Sequence, residues 1–406
     1  MGPCSGANSW PRTKELCLVT IRAISLFCGA GGFCEGVRLA GWQVVSAVES
    51  DAQACRTHAA NFPEVQLHEG DIGGFLKGRR RSQALPSESI DIVYGGPPCQ
   101  GYSQIGPRDL SDPRNVLYKE FVRICRKVNA RAFVMENVPN MVAMKNGHFK
   151  SKILSAFAAA GYRRTAVIPV LASDFGVPQD RRRVFIFGIR DDLQFDGDYA
   201  LAAAALLDKQ KTHAVVTVRE ALSDLPEEVS ADDGPLPYPR KSRNGYSDYQ
   251  KLMRLDCDEP LMSAEQKRRR LQKDQLFNHH TKEIQKRRKA ILVAIKPGAR
   301  GDSLPRELWN GTRGHKWRRL DPDKPSYTIL AQMHRDLSEW IHPTHDRWIT
   351  VREAARLQSF HDGFVFHGSE WQQLKQVGNA VPPLLGLAVA RAAEGLLAAS
   401  SAPASG

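Results

Sequence analysis

The sequence predicts an α/β fold, doubly wound around a mostly parallel sheet, with a smaller second region inserted late in the chain. Three observations predict it. Strand-like and helix-like segments alternate from Ile21 to Arg190, a glycine run follows the first strand directly, and the alternation stops after Arg190 in favour of prolines, glycines and basic residues.

Each element has its own signal. Ile21–Phe27 is an apolar run of strand length, and Gly29-Ala30-Gly31-Gly32 opens a short helix that Gly41 closes. Val44–Glu49 is a second strand, and Ala52–Asn61 a helix stopped by Phe62-Pro63. Val65–Leu67 is a short third strand leading to Asp71; Ile90–Tyr94 and Arg131–Glu136 are the fourth and fifth, with a helix over Val116–Val128 between them. A helix over Phe149–Ala160 precedes strands near Thr165–Pro169 and Val184–Ile189. Helical periodicity returns at Val351–Phe360 and in the Ala/Leu-rich stretch Pro382–Leu397. The expected division is an N-terminal extension over 1–20, a catalytic cofactor-binding domain over 21–190, a basic domain over 191–345, and a segment over 346–406 that returns to the first domain.

Composition narrows the function. The 406 residues are 42% hydrophobic and 25% charged, enough to bury a large core. The net charge of +13 favours a polyanionic partner over a merely basic surface, and the excess concentrates between Ala264 and Leu320. Eight cysteines form no CxxC pair and no Cys/His cluster with zinc spacing, so neither a disulfide framework nor a metal site is expected. No run approaches the roughly 18 apolar residues of a membrane span, and neither a signal peptide nor a myristoylation start is expected. The expected location is the cytoplasm.

Four motifs carry the chemistry. The glycine loop lets backbone approach a ligand closely, and Glu49, twenty residues after Gly29, is placed to accept from ribose hydroxyls. Asp71 could accept from an adenine amino group. These features alone define an adenosine-containing cofactor, NAD as well as S-adenosylmethionine. The second motif, Gly95-Gly96-Pro97-Pro98-Cys99-Gln100-Gly101-Tyr102-Ser103, follows the fourth strand at the edge where α/β enzymes bind ligands. A cysteine in such a loop is positioned rather than buried, and so suited to act as a nucleophile. Glu136-Asn137-Val138-Pro139 brings a carboxyl group to the same edge, and Gln179-Asp180-Arg181-Arg182-Arg183-Val184-Phe185 brings guanidinium groups.

In this order, and with Gln376–Pro383 (QVGNAVPP) near the end, these motifs resemble the DNA cytosine-5 methyltransferase family, of the bacterial modification type. The likeness spans about 21–190 and 345–395, and the five ordered motifs together are specific where the glycine loop alone is not. The resemblance implies the S-adenosylmethionine-dependent methyltransferase fold, with 191–345 as the target-recognition domain. It implies that Cys99 attacks carbon 6 of a cytosine flipped out of duplex DNA, because the ring is inaccessible within the stack. Glu136 then binds nitrogen 3 and the exocyclic amino group, and must be able to donate a proton there. Arg183, supported by Arg181, contacts the 2-oxo group. For the S-adenosylmethionine pocket it implies Phe27, Gly29, Gly31, Glu49 and Ser50, with Asp71, Ile72, Leu117 and Asn379. Ser25 departs from the family pattern, which often has Asp there.

The implied partner is double-stranded DNA, bound by a monomer with no membrane association, in a restriction–modification setting that admits a cognate restriction endonuclease acting on the same site. Within the basic region the Lys/Arg-rich part is expected to contact phosphates, and loops near Trp309–Trp317 and Ser326–His334 to read bases; Thr328 resembles a residue recurring in the family's recognition regions. Three other readings are weaker. An RNA (tRNA) cytosine-5 methyltransferase lacks so large a basic insertion. A catalytically silent DNA-binding regulator has no use for Cys99, Glu136 and Arg183 together. An NAD oxidoreductase needs a hydride-handling acid/base set that is absent from the motifs.

Overall fold

Seven strands form the central sheet: β1 (Arg22–Leu26), β2 (Gln43–Glu49), β3 (Gln66–Glu69), β4 (Ile92–Gly95), β5 (Ala132–Asn137), β6 (Arg164–Leu171) and β7 (Arg182–Ile189). Their order is β3-β2-β1-β4-β5-β7-β6. The first five are parallel, and β7 runs antiparallel to both of its neighbours. The computed structural model describes residues 20–76, 89–98, 116–143, 147–238, 245–255, 275–309 and 316–401. Cys99 and the rest of its loop, and residues 310–315, lie outside the described residues.

The period of two along each strand produces two cores. Ile24, Leu26, Val93, Phe133, Met135, Val184 and Ile186 face one side of the sheet; Ala23, Ile92, Tyr94, Ala132, Val134, Phe185 and Phe187 face the other. Helices Tyr118–Lys127 and His148–Ala159 cover the first side, where Phe157 stacks on Phe133 with ring centroids 3.7 Å apart. Helices Gly32–Leu39, Tyr199–Asp208 and Pro383–Ala398 cover the second. The crossing of the first and last of these is close: a Cβ on Gly36 would stand 2.6 Å from the Cα of Gly386.

Element boundaries fall within a few residues of the sequence reading, and helix Ala52–Asn61 matches it at both ends. Asp51 caps that helix by accepting from the backbone N–H groups of Gln53 and Ala54, which is why it starts where it does. Two features were not anticipated. Helix Tyr199–Asp208 packs on β6 and on Pro383–Ala398, so the chain stays on the sheet beyond Arg190. Its run Ala202–Ala205 follows β7 without a further strand of the main sheet, so the alternation that marked the earlier units is missing. The helical stretch Glu370–Ala398 also has the length and apolarity of a membrane span, against the sequence expectation that none exists, yet 72% of its apolar window is buried inside the protein.

The region after Val216 carries short helices (Val218–Leu222, Asp248–Met253, Lys286–Ala294) and little strand. It is fastened by charge as well as apolar contact. Fully buried Arg356 bridges Asp224 at 2.5 Å and Asp362 at 2.6 Å, tying helix Val351–Leu357 to the segment after Val218–Leu222. Removing one member of such a buried pair typically costs about 3–5 kcal/mol, because the charge left behind has no partner.

Candidate active site

Strand register brings the predicted residues to one edge. Leu26 pairs with Val48 on one side and Gly95 on the other, Gly95 pairs with Met135, and Glu136 faces Phe185 across the antiparallel β5–β7 ladder. The residues just beyond those pairings are Phe27, Glu49, Gly96, Glu136 and, at the start of β7, Arg183. One end of the sheet therefore presents both the glycine loop and the catalytic candidates.

On the cofactor side the backbone turns sharply. Phe27 (φ 56°), Gly29 (φ 56°) and Gly31 (φ 103°) all adopt left-handed conformations. The two glycines need their lack of a Cβ for different reasons. A Cβ on Gly31 would stand 2.3 Å from a ring carbon of Phe62, whereas a Cβ on Gly29 would have nothing within 4 Å. The Gly29 backbone is thus bare toward open space. Glu49 organises this loop: its carboxylate accepts from the N–H groups of Gly29, Ser50 and Asp51, each at 2.8 Å. Ser50 is exposed beside it. Asp71 is exposed at the end of the neighbouring strand, with its Oδ1 accepting from Gly73 N at 2.8 Å. Ile72 is buried, and Leu117 packs on the same apolar cluster. Asn379 ends helix Glu370–Asn379 with its side chain exposed. The following residues reach the glycine loop, since a Cβ on Gly32 would meet Val381 O at 2.4 Å and Ala380 Cβ at 3.0 Å.

These residues fit an adenosyl cofactor. Bare backbone at Gly29, acceptor carboxylates at Glu49 and Asp71 and the partly buried Leu117 supply close approach, polar acceptors and an apolar wall. Ser25 takes no part in this surface. It is buried, and its Oγ accepts from Cys34 Sγ at 3.3 Å, while Tyr94 OH donates to the same sulfur at 3.2 Å.

On the catalytic side, Glu136 Oε1 lies 2.9 Å from Arg183 Nε, with the two side chains only 15% and 13% exposed. Burial pulls the Arg183 guanidinium below its usual pKa, and Glu136 opposes that shift. Gly96, three residues before Cys99, lies under this carboxylate: a Cβ there would stand 2.8 Å from Glu136 Oε2. Gly95 is constrained further, with φ 153° and a would-be Cβ 1.9 Å from Leu26 O. Asn137 Nδ2 donates to Pro97 O at 3.3 Å, and its Oδ1 accepts from Val138 N. The Glu-Asn-Val segment thus holds the stem of the cysteine loop as well as presenting Glu136.

Arg181 does not line this surface. It is 2% exposed, and donates to Ile329 O at 2.8 Å and Gly378 O at 2.9 Å. Asp180-Arg181-Arg182-Arg183 therefore splits by strand geometry, with Arg181 buried, Arg182 exposed and Arg183 at the carboxylate. Sequence reasoning missed the partners of Arg181. It also missed Asn137 as a loop holder and the salt bridge at 2.8 Å between Lys375 and Asp51 beside Ser50. Asn137 lay within a quoted motif, but nothing in the sequence marked the other contacts.

An open, mostly parallel sheet with a glycine loop, an acid at the end of the second strand and a carboxylate–guanidinium pair at one edge fits the class of α/β enzymes that bind an adenosine-containing cofactor. Similarity to known proteins specifies the family. The model of C-5 cytosine-specific DNA methylases matches residues 21–394, and the chain belongs to that family. Its relatives include the type II methyltransferase M.AgeI of Thalassovita gelatinovora, 34% identical over 91% of this chain and 98% of that protein. M.XorII of Xanthomonas oryzae pv. oryzae is 34% identical over 90% and 82%. A solved, prophage-encoded E. coli protein assigned as a DNA modification methyltransferase superposes with a TM-score of 0.73 at 27% identity, over 93% of this chain and all of that one. The S. pombe Dnmt2 methyltransferase shares the fold, with a TM-score of 0.56 at 16% identity over 93% and 98%. The chain is a DNA (cytosine-5-)-methyltransferase, of a family that typically uses S-adenosylmethionine and flips its target base.

Proposed function

We propose that this enzyme uses S-adenosylmethionine to methylate carbon 5 of cytosine in a specific double-stranded DNA site, with Cys99 as nucleophile and Glu136 and Arg183 holding the ring. The observation that carries the assignment of roles is the Glu136–Arg183 pair seated over Gly96 at the root of the cysteine loop. Cytosine carbon 5 is a poor nucleophile until electron density is pushed into the ring. The Cys99 thiolate adds to carbon 6, and the displaced electrons accumulate toward nitrogen 3, where Glu136 supplies a proton and also binds the exocyclic amino group. Arg183 keeps one edge of Glu136 in place and offers donors to the 2-oxo group. Bound S-adenosylmethionine supplies the electrophilic methyl group that carbon 5 accepts. Loss of the carbon 5 proton then restores the aromatic ring and expels Cys99. On the cofactor side, Glu49 accepts from the ribose hydroxyls, Asp71 from the adenine amino group, and Gly29, Gly31, Phe27, Ser50, Ile72, Leu117 and Asn379 complete the pocket.

The basic region between about 191 and 345 serves target recognition, with duplex DNA lying between it and the sheet edge. We take the enzyme to be a cytoplasmic monomer; a relative named as a type II methyltransferase supports a restriction–modification setting, with an endonuclease for the same site as the expected partner. The test is covalent trapping. Duplex DNA carrying 5-fluorocytosine at the methylated position should form a stable adduct on Cys99, because fluorine cannot leave as a proton does. Cys99→Ser should form none, while binding S-adenosylmethionine normally. An adduct mapped to another cysteine would remove Cys99 from the mechanism.

A further inference from the structure

A buried guanidinium without a carboxylate is expensive to keep. Among the described residues Arg181 has no carboxylate partner: its donors go to the carbonyls of Ile329 and Gly378, and Nε finds no partner. Burial and the neighbouring Arg183 both push its pKa down, with Glu136 alone opposing. Three separate stretches of chain converge on this one side chain.

The first is its own strand edge, where Gln179–Asp180 pairs in parallel with Ser326–Tyr327. The second is the segment that follows in the recognition region. Ser326 N donates to Pro178 O at 2.9 Å, Thr328 Oγ1 to Asp180 O at 2.7 Å, and Ile329 N to Gln179 Oε1 at 3.0 Å. The third is the end of helix Glu370–Asn379 at Gly378, whose would-be Cβ stands 2.4 Å from the Leu330 carbonyl, so that the backbone before Asn379 lies directly on the recognition segment. Arg181 is thus two residues from Arg183, bonded to the residue after Thr328, and bonded to the residue before Asn379.

We propose that Arg181 is a positioning residue that clamps the recognition segment 326–330 and the helix end at Gly378 to the strand delivering Arg183. Target reading, cofactor-side closure and the Glu136–Arg183 pair are then set by one buried cation rather than independently. The inference rests on the recognition and cofactor roles assigned above. It uses both terminal nitrogens of the guanidinium, one on each carbonyl, and a methionine can bond neither.

The test uses the full-length enzyme with tritiated S-adenosylmethionine and methylation-free genomic DNA, with methylated cytosines mapped by bisulfite sequencing. Charge-assisted hydrogen bonds of this kind correspond to about a tenfold to hundredfold change each. Arg181→Met should therefore lower kcat by at least tenfold, raise the KM for S-adenosylmethionine, and place methyl groups at sites one base removed from the wild-type site. Thr328→Val loses only the bond to Asp180 O, and should broaden the site with an unchanged cofactor KM. The two substitutions together should be non-additive in fidelity, since both release the same segment. Lost turnover in Arg181→Met with wild-type sites and a wild-type cofactor KM would mean a residue that acts on Arg183 alone, and would overturn the clamp. If Arg181→Met fails to fold, Thr328→Val carries the test, and wild-type fidelity in that variant would overturn the proposal. A wild-type enzyme that leaves the DNA unmethylated would instead fail the functional reading beneath it.

Discussion

Arg183 Nε lies 2.9 Å from Glu136 Oε1, across the antiparallel partnership of β5 with β7, so two motifs far apart in the chain meet as one ion pair. The consequence is that each side chain sets the position of the other before any base arrives. Glu136→Gln keeps the shape but weakens the pair and removes the carboxyl group proposed to donate a proton. It should reduce kcat for methylation by at least about a hundredfold while leaving the Kd for S-adenosylmethionine within about twofold. Arg183→Lys should give a smaller loss of kcat, because one planar donor is replaced by a point charge. Single-turnover methylation and equilibrium cofactor binding separate these effects. Comparable losses in both properties would reduce the pair to a support of the fold.

Glu49 and Gly29 make a second prediction, because the carboxylate holds the loop and is proposed to bind the cofactor ribose. Glu49→Ala removes acceptors for three backbone N–H groups as well as the proposed ribose acceptor, and the Kd for S-adenosylmethionine should rise at least about tenfold with the melting temperature also lowered. Gly29→Ala and Gly31→Ala both strain a left-handed backbone by about 1–2 kcal/mol, but only the latter drives a methyl group into Phe62. Gly31→Ala should therefore cost clearly more stability, and Gly29→Ala should cost cofactor affinity out of proportion to stability. Calorimetric melting with and without cofactor reads both. Equal stability losses would contradict the placement of the Gly29 backbone against open space.

Much of this site was legible because its chemistry sits in motifs and its strands alternate strictly. Ile24 and Leu26 against Ala23, or Phe133 and Met135 against Ala132 and Val134, declare two buried faces from residue type alone. What could not be read is whatever depends on partners distant in sequence. Asp180-Arg181-Arg182-Arg183 reads as a charge run, and only the pairing of Gln179–Asp180 with Ser326–Tyr327 decides which arginine is buried. The attachment of Tyr199–Asp208 to β6 was hidden for a related reason: an alanine-rich helix has no apolar face distinct enough to announce what it covers.

A third prediction concerns acid. His58 is fully buried beside Gly31, and neither ring nitrogen has a hydrogen-bond partner among the described residues; burial pushes its pKa down to about 4. His342 is pushed down to about 4 by burial too, with Glu353 opposing. The folded state thus holds neutral rings that the unfolded chain protonates near its ordinary value of about 6.5. Stability from these groups is complete above that value and lost as pH falls from about 6.5 through about 4, by up to about 1.4 kcal/mol per pH unit for each ring. Urea unfolding between pH 7 and pH 4.5 should show the slope, and His58→Leu should reduce it. An unchanged slope in that variant would assign the acid sensitivity elsewhere.

The last prediction follows from a helix built against its own dipole. Lys286–Ala294 begins Lys286-Arg287-Arg288-Lys289 with no acid in its first turn, although the partial positive charge of a helix N-terminus favours acids there. Its other end is anchored instead: Arg319, almost fully buried, donates to Leu292 O at 2.7 Å and Ile295 O at 2.6 Å, and pairs with Asp346 at 2.7 Å. The apolar end is fixed to the body, whereas Lys286, Arg288 and Lys289 at the basic end are all exposed, with Arg288 3.9 Å from Asp336. Such an arrangement costs helix stability and fits a polyanion partner. Phosphate contacts position a protein without reading sequence, so Lys286→Gln, Arg287→Gln and Arg288→Gln together should weaken DNA binding at cognate and non-cognate sites alike. The slope of log K against log salt should become shallower by about 0.9 for each phosphate that is no longer neutralised. Thermal stability should hold or rise slightly, because repulsion at the helix start is relieved. The methylated site should stay the same. A triple variant that methylated a different site would place base reading in this helix, and one whose salt slope did not change would remove it from the DNA interface.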